Sequence, residues 1–294
     1  IATVYFVFLA GRLKTNRRPL AFTPAHIPIV IFILLSILSF VLGLGNAVHS
    51  PNLFRKFVGY VLNIALALIV IEQVHNRDIL RRLIKTIMVS GFAAAIIGIV
   101  FYFAPPNLVE RSLNYLSTFN YPSGNVLRYI EDNPTNPLRA IGTSVDPNVF
   151  GGLLAIVAAM LVPQIGTKTP IFGRRSTTMI MLVVTTMALF LTYSRTAMIA
   201  FLTSITFIAT IRYRKLFWAI AATILVTSFL PWSQQYVSHF IDAIKGQDLA
   251  TSMRFGEYKD ALILISRYPV FGVGFGGTPD ADIYLGVSST YLLL

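Results

Sequence analysis

Residues 177–211 read TTMIMLVVTTMALFLTYSRTAMIAFLTSITFIATI. The run carries a single charge, Arg195. At 1.5 Å per residue one unbroken helix would be about 50 Å long, against a bilayer hydrocarbon core of about 30 Å. The stretch is therefore predicted to be two membrane spans, with the turn near Tyr193-Ser194-Arg195-Thr196. Similar apolar runs cover roughly 27–44, 57–72, 86–104, 147–163 and 216–230, and another begins near 283. Residues 1–9 read as the tail of a span.

Composition agrees with a membrane protein. The chain is 55% hydrophobic and 12% charged, with mean hydropathy +0.70, whereas soluble domains carry about 25% charged residues. The expected fold class is all-α: a polytopic transmembrane helix bundle with two longer extracytoplasmic segments, treated as one transmembrane domain over 1–294. The chain starts at Ile1 and stops within the apolar Tyr291–Leu294, so it reads as a fragment with further spans beyond both ends. It has no cysteine, which excludes disulfides and thiolate metal sites. His26, His49, His75 and His239 show no metal-ligand spacing.

The net charge of +12 is placed unevenly. One set of loops carries Arg12, Lys14, Arg17, Arg18, then Arg77, Arg81, Arg82, Lys85, then Lys168, Arg174, Arg175, then Arg212, Arg214, Lys215, against only Glu72 and Asp78. The other side holds equal numbers of basic and acidic residues. By the positive-inside rule the first set is cytoplasmic. An anionic inner leaflet explains its charge, so nucleic acid is not expected as a partner. The long polar segments, about 105–146 and 231–282, then fall outside the membrane, with Arg195 at that same face.

Several residues there are candidates for chemistry. Arg195 sits between two apolar runs, either snorkelling to headgroups or facing the bundle interior, with Tyr193 and Ser194 beside it. Arg254 falls among Tyr258, Ala261, Leu262 and Ile265 at helical spacing, on what should be an inward face. A guanidinium there needs an anionic partner. Tyr268-Pro269 should end that helix, and Gly272, Gly274, Gly276 and Gly277 follow, where backbone can approach a ligand. Asp146 is a natural N-cap before Pro147 at the first helical position. Arg139 is a third outward cation, and Asn148 in the first turn faces the same side. Asp280 and Asp282 precede the last run, where they could cap it or supply a general base. Guanidinium forks suit a diphosphate, because they bind phosphate oxygens bidentately and stay charged.

On Arg139-x-x-Gly142 with Asp146-Pro147-Asn148, Tyr193-Ser194-Arg195 opening a span, Ser252-x-Arg254, and Arg267-Tyr268-Pro269-Val270-Phe271-Gly272-Val273-Gly274-Phe275-Gly276, the chain resembles the O-antigen ligase and O-antigen polymerase-like family of bacterial envelope enzymes. The resemblance covers roughly 130–294. It implies a metal-independent membrane glycosyltransferase with no cofactor in the bacterial inner membrane, its active face extracytoplasmic. The implied donor is an undecaprenyl-diphosphate-linked glycan; the acceptor is a growing glycan, lipid A core or a protein. Arg195 and Arg254 would bind the diphosphate, with Arg139, Asn148, Tyr193, Ser194 and Gly274 lining the substrate site. Ligases of the family carry a histidine before the next span, where this chain reads Ser288-Ser289. That departure favours a polymerase-like or less typical member, with an aspartate such as Asp282 as base. The alternative is a transporter or flippase for an anionic solute or lipid-linked sugar, in which the arginines bind without a bond being made.

Overall fold

A computed structural model describes residues 2–14, 23–45, 51–119, 121–122, 124, 126–130, 133–167, 169–212, 249–270 and 272–275. The chain is predominantly helical. Its elements are α1 (Ala2–Lys14), α2 (His26–Gly43), α3 (Pro51–Gln73), α4 (Arg77–Phe103), α5 (Pro106–Asn114), a 3-10 turn (Tyr115–Phe119), β1 (Arg128–Tyr129), β2 (Leu138–Arg139), α6 (Pro147–Gly166), α7 (Arg175–Leu191), α8 (Arg195–Arg212) and α9 (Leu249–Arg267). Among the described residues, α2, α3, α4 and α6 are long and apolar enough to cross a membrane, and α7 and α8 are shorter apolar helices. The runs expected at 216–230 and from 283 lie outside the described residues.

The chain divides into two compact units, Ile1–Leu80 with Gly246–Leu294, and Arg81–Lys245. In the first, α1 and α3 run parallel. Tyr5 donates its hydroxyl hydrogen bond to the Leu62 carbonyl at 2.7 Å, and further along both helices Arg12 pairs with Glu72. On α2 and α3 the rings of Phe40 and Phe57 stack with centroids 4.0 Å apart. Phe275, from the glycine turn, meets Phe57 edge-on at 5.3 Å. Beside it Gly274, at φ +87°, lies directly on Gly43, where a Cβ on either residue would strike the other's backbone. α9 ends at Arg267, just before Tyr268-Pro269, as the pre-proline position demands.

The second unit is built around α6. Its apolar window is 44% buried, against 22% or less in the other three long spans. Small residues allow that depth. Gly98 of α4 lies under the Phe150 ring, and Gly151 lies under Thr192, Ser194 and Ala197, where an added Cβ would meet atoms at 2.9 to 3.1 Å. Close approach through small residues is how membrane helices gain packing when lipid is as apolar as leucine. Phe150, Leu154, Ala158, Ala188, Leu189 and Phe201 form the core where α6 meets α7 and α8. The exposed stripes on α7 (Met179, Ile180, Val183, Met187, Phe190) remain fully apolar, as lipid-facing surface should.

The unit's two ends differ in chemistry. At one, Arg81 of α4 donates to the Pro170 carbonyl at 3.3 Å, and the Lys85 ammonium sits over the Phe172 ring at 5.9 Å. Two of the basic loops singled out by charge thus share one end. The opposite end carries the close of α4, α5, the β1–β2 ladder and the starts of α6 and α8. The ladder pairs Arg128 with Arg139 and Tyr129 with Leu138, antiparallel. The ladder lies in the 105–146 segment, within a chain that is otherwise predominantly helical.

Candidate functional site

The run 177–211 breaks where its length requires. α7 closes at Leu191, α8 opens at Arg195, and Thr192-Tyr193-Ser194 make the turn. The backbone folds back through hydrogen bonds from Thr192 N–H to Leu189 O and from Tyr193 N–H to Phe190 O, both 3.1 Å. Thr192 Oγ1 donates to Leu189 O at 2.7 Å and accepts from Ser194 N–H at 3.2 Å. Tyr193 takes φ +51°, the one positive φ among described non-glycine residues. For a bulky side chain that conformation is costly unless the surroundings hold it. Here the Tyr193 side chain is hydrogen-bonded to that of Tyr102, at the end of α4.

The strand β2 closes the C-terminus of α7. Ala140 N–H donates to Leu191 O at 2.8 Å, and Arg139 Nε donates to Thr192 O at 2.9 Å. The last carbonyls of a helix have no partner within it, and a cation beside them also meets the negative end of the dipole. Arg139 Nη2 reaches Asn148 Oδ1 at 2.9 Å. One guanidinium therefore ties β2 to the α7–α8 turn and to the first turn of α6. Asp146 caps α6 as expected, its Oδ1 accepting from Asn148 N–H at 2.6 Å and Val149 N–H at 3.1 Å. Pro147 is the first helical residue.

Arg195 is placed differently. It is the first residue of α8 and half-buried, at the positive end of that helix's dipole, where a cation is disfavoured and an anion favoured. Ser194 precedes it at the capping position. Its Oγ is buried and makes no hydrogen bond among the described residues, so it does not satisfy the α8 N–H groups that a capping serine ordinarily serves. The dipole thus favours a cation at Arg139 and an anion at the start of α8, beside Arg195.

Beside the start of α6 opens a hollow of about 620 Å³, whose lining includes Tyr121, Thr143, Ser144 and Asp146. Burial raises the Tyr121 phenol above its ordinary pKa. The structure brings together Arg139, Asn148, Tyr193, Ser194 and Arg195 at one end of the second unit. Sequence reasoning did not find Tyr102, Thr192 or, Asp146 apart, the residues of the hollow. An aromatic hydroxyl at the end of a span was the available signal for Tyr102.

The remaining candidates belong to the first unit or lie outside the described residues. Arg254 is in the second turn of α9, where the backbone is described. The helix further along buries Ala261 and Leu264, while Tyr258, Leu262 and Ile265 are exposed. The buried stripe is therefore turned from the one expected. Gly274 packs on Gly43, which gives its missing side chain a structural reason. Asp280, Asp282 and Ser288 lie outside the described residues. No group of three or more histidine, aspartate or glutamate side chains gathers among the described residues in a way that could hold a metal ion.

Comparison with curated proteins and with solved structures gives no match. Comparison with protein families does: residues 180–291 match the model described as O-antigen ligase. The match begins within α7, takes in the Tyr193-Ser194-Arg195 turn, and extends past α9. This partial match over 180–291 supports the resemblance to the O-antigen ligase family.

Proposed function

We propose that the chain transfers or polymerises a glycan carried on undecaprenyl diphosphate, at the outer face of the bacterial inner membrane. The acceptor is a hydroxyl on a growing glycan, on lipid A core or on a protein. The family match supports glycan transfer or polymerisation. The observation that carries the residue-level reading is Arg195, a half-buried cation on the positive end of α8 beside an uncapping Ser194.

In this reading the acceptor oxygen attacks the anomeric carbon, and the bond from that carbon to the diphosphate oxygen breaks. The electron pair passes to the diphosphate, which leaves on its lipid, and the acceptor proton passes to a base. Arg195 and the start of α8 stabilise the charge that grows on the leaving group. Preorganised donors aimed at developing charge are the largest single term in many enzymes. Arg139 acts by holding the α7–α8 turn, and Asn148 holds Arg139. Arg254 as a second cation on the diphosphate, Gly274 at the substrate and Asp282 as the base rest on the sequence pattern.

The test is genetic. The full-length gene, its Arg195→Ala variant and an empty vector are placed in a deletion strain of the native host, and surface glycans and lipid-linked intermediates are separated on gels. Wild type alone should restore long or ligated glycan, with undecaprenyl-linked units accumulating in the other two. A ladder of lengths would mark a polymerase and one discrete product a ligase. Identical glycans in all three lanes would remove the proposal and leave transport of an anionic lipid or solute to be assayed.

A further inference from the structure

We infer that the hollow beside the start of α6 is a subsite for a neutral, hydroxyl-rich sugar ring, separate from the diphosphate contact at Arg195. The inference rests on the transfer reading above and names where the sugar of that donor or acceptor sits.

The lining of the hollow is part apolar and part polar. Leu116 and Pro122 give it an apolar wall, with the Tyr121 ring beside them, while Thr143, Ser144 and Asp146 bring two hydroxyls and a carboxylate. Its volume of about 620 Å³ lies within the usual span for small-molecule sites. Among the described residues no lysine or arginine lines it, and a phosphate placed there would face the Asp146 carboxylate. The lining therefore disfavours the charged part of a lipid diphosphate.

It favours a sugar. A pyranose or furanose ring presents hydroxyls around its rim and C–H groups on its faces, which matches a wall of proline, leucine and tyrosine beside convergent oxygens. Asp146 is divided between two tasks. Its Oδ1 accepts both capping N–H bonds, while Oδ2 takes part in no hydrogen bond among the described residues. An ionised carboxylate has about four acceptor positions across its two oxygens, so hydroxyls of an occupant have acceptors to reach without loss of the cap. Thr143 and Ser144 side chains likewise make no hydrogen bond among the described residues. The Tyr121 hydroxyl is shielded from water and has no hydrogen-bond partner among the described residues, a condition that a hydroxyl delivered by an occupant relieves.

Placement agrees with the chemistry. Asp146 bonds the N–H of Asn148, Asn148 accepts from Arg139, and Arg139 donates to Thr192 in the turn that presents Arg195. The hollow and Arg195 thus stand at the same end of one packed unit, joined by a continuous hydrogen-bonded chain.

The experiment uses the full-length protein in lipid nanodiscs and two probes. One is the repeat-unit oligosaccharide released from the host's own surface glycan, without its carrier. The other is undecaprenyl diphosphate without sugar. Binding is titrated for wild type, Ser144→Ala, Asp146→Asn and Arg195→Ala. Loss of a charge-assisted hydrogen bond predicts about tenfold weaker oligosaccharide binding for Asp146→Asn, with a smaller loss for Ser144→Ala. Both should bind the bare carrier as wild type does, and Arg195→Ala should show the reverse pattern. Asp146→Asn keeps a capping oxygen, and unchanged carrier binding certifies its fold. Wild-type affinity for the oligosaccharide in both lining variants, or no oligosaccharide binding by wild type, would overturn the subsite. A protein that binds both probes as expected but forms no glycosidic bond would refute the transfer reading and leave the subsite standing.

Discussion

Replacing Arg139 separates a structural tie from a ligand contact. Among the described residues its guanidinium donates at 2.9 Å to Thr192 O and to Asn148 Oδ1. A hydrogen bond to a charged group contributes about 1.5–3 kcal/mol, and a cation at a helix C-terminus about 0.3–1 kcal/mol more. Asn148 is exposed and regains water when its partner is lost, whereas Thr192 is fully buried. The expected cost of Arg139→Ala is therefore about 2–4 kcal/mol, most of it from the Thr192 carbonyl. The assay is thermal unfolding of the purified protein in detergent, with glycan output measured on the same preparations. Arg139→Ala should lower the unfolding temperature and the output together. Asn148→Ala should lose less, and the double variant should cost less than the sum, by about 0.5–1.5 kcal/mol of coupling. If Arg139→Ala unfolds with wild type but has lost its output, Arg139 contacts the substrate directly, and the account of the turn is wrong.

Three further outcomes follow from the packing. Asp146→Ala should cost about 0.5–2 kcal/mol through loss of the α6 cap, while Asp146→Asn should retain most of it, as thermal unfolding will show. Gly43→Ala or Gly274→Ala should each destabilise the first unit by about 1–3 kcal/mol through overpacking, with Gly274 the worse because its φ is +87°; lower yield of folded protein reports it. Burial raises the folded-state pKa of Tyr121 above the unfolded value. Its stabilising contribution is thus present below the ordinary tyrosine pKa of about 10 and is lost as pH rises through the folded value. Tyr121→Phe should remove one late-titrating phenol from the ultraviolet titration and flatten the alkaline fall in stability.

The legible parts of this chain were those set by length and local chemistry. The α7–α8 break followed from an apolar run too long for one crossing. Asp146-Pro147 marked the start of α6, and Tyr268-Pro269 the end of α9. What escaped was of two kinds. The β1–β2 ladder is two residues on each side, too short for an alternating pattern, and Arg139 meets Thr192 across 53 positions of sequence, where no spacing rule reaches. The buried side of α9 escaped for another reason. Helical spacing fixes which residues share a face but not which face meets the rest of the fold, so the stripe Tyr258, Leu262, Ile265 did not mark the packed side. Small residues mark it better, as Ala261 on α9 and Gly151 on α6 show.

The central claim is that Arg195 stabilises a leaving diphosphate, and reconstituted turnover tests it most directly. Purified wild type, Arg195→Lys and Arg195→Ala are given the native undecaprenyl-diphosphate-linked donor and acceptor in liposomes, and released undecaprenyl diphosphate and new glycosidic bonds are counted together. By analogy with the loss of an oxyanion donor, Arg195→Ala should slow both by about 10²-fold or more. Arg195→Lys should recover part of the rate, since lysine keeps the charge but not the bidentate fork, and all three should unfold at the same temperature. Wild-type turnover by a stably folded Arg195→Ala protein would contradict the account.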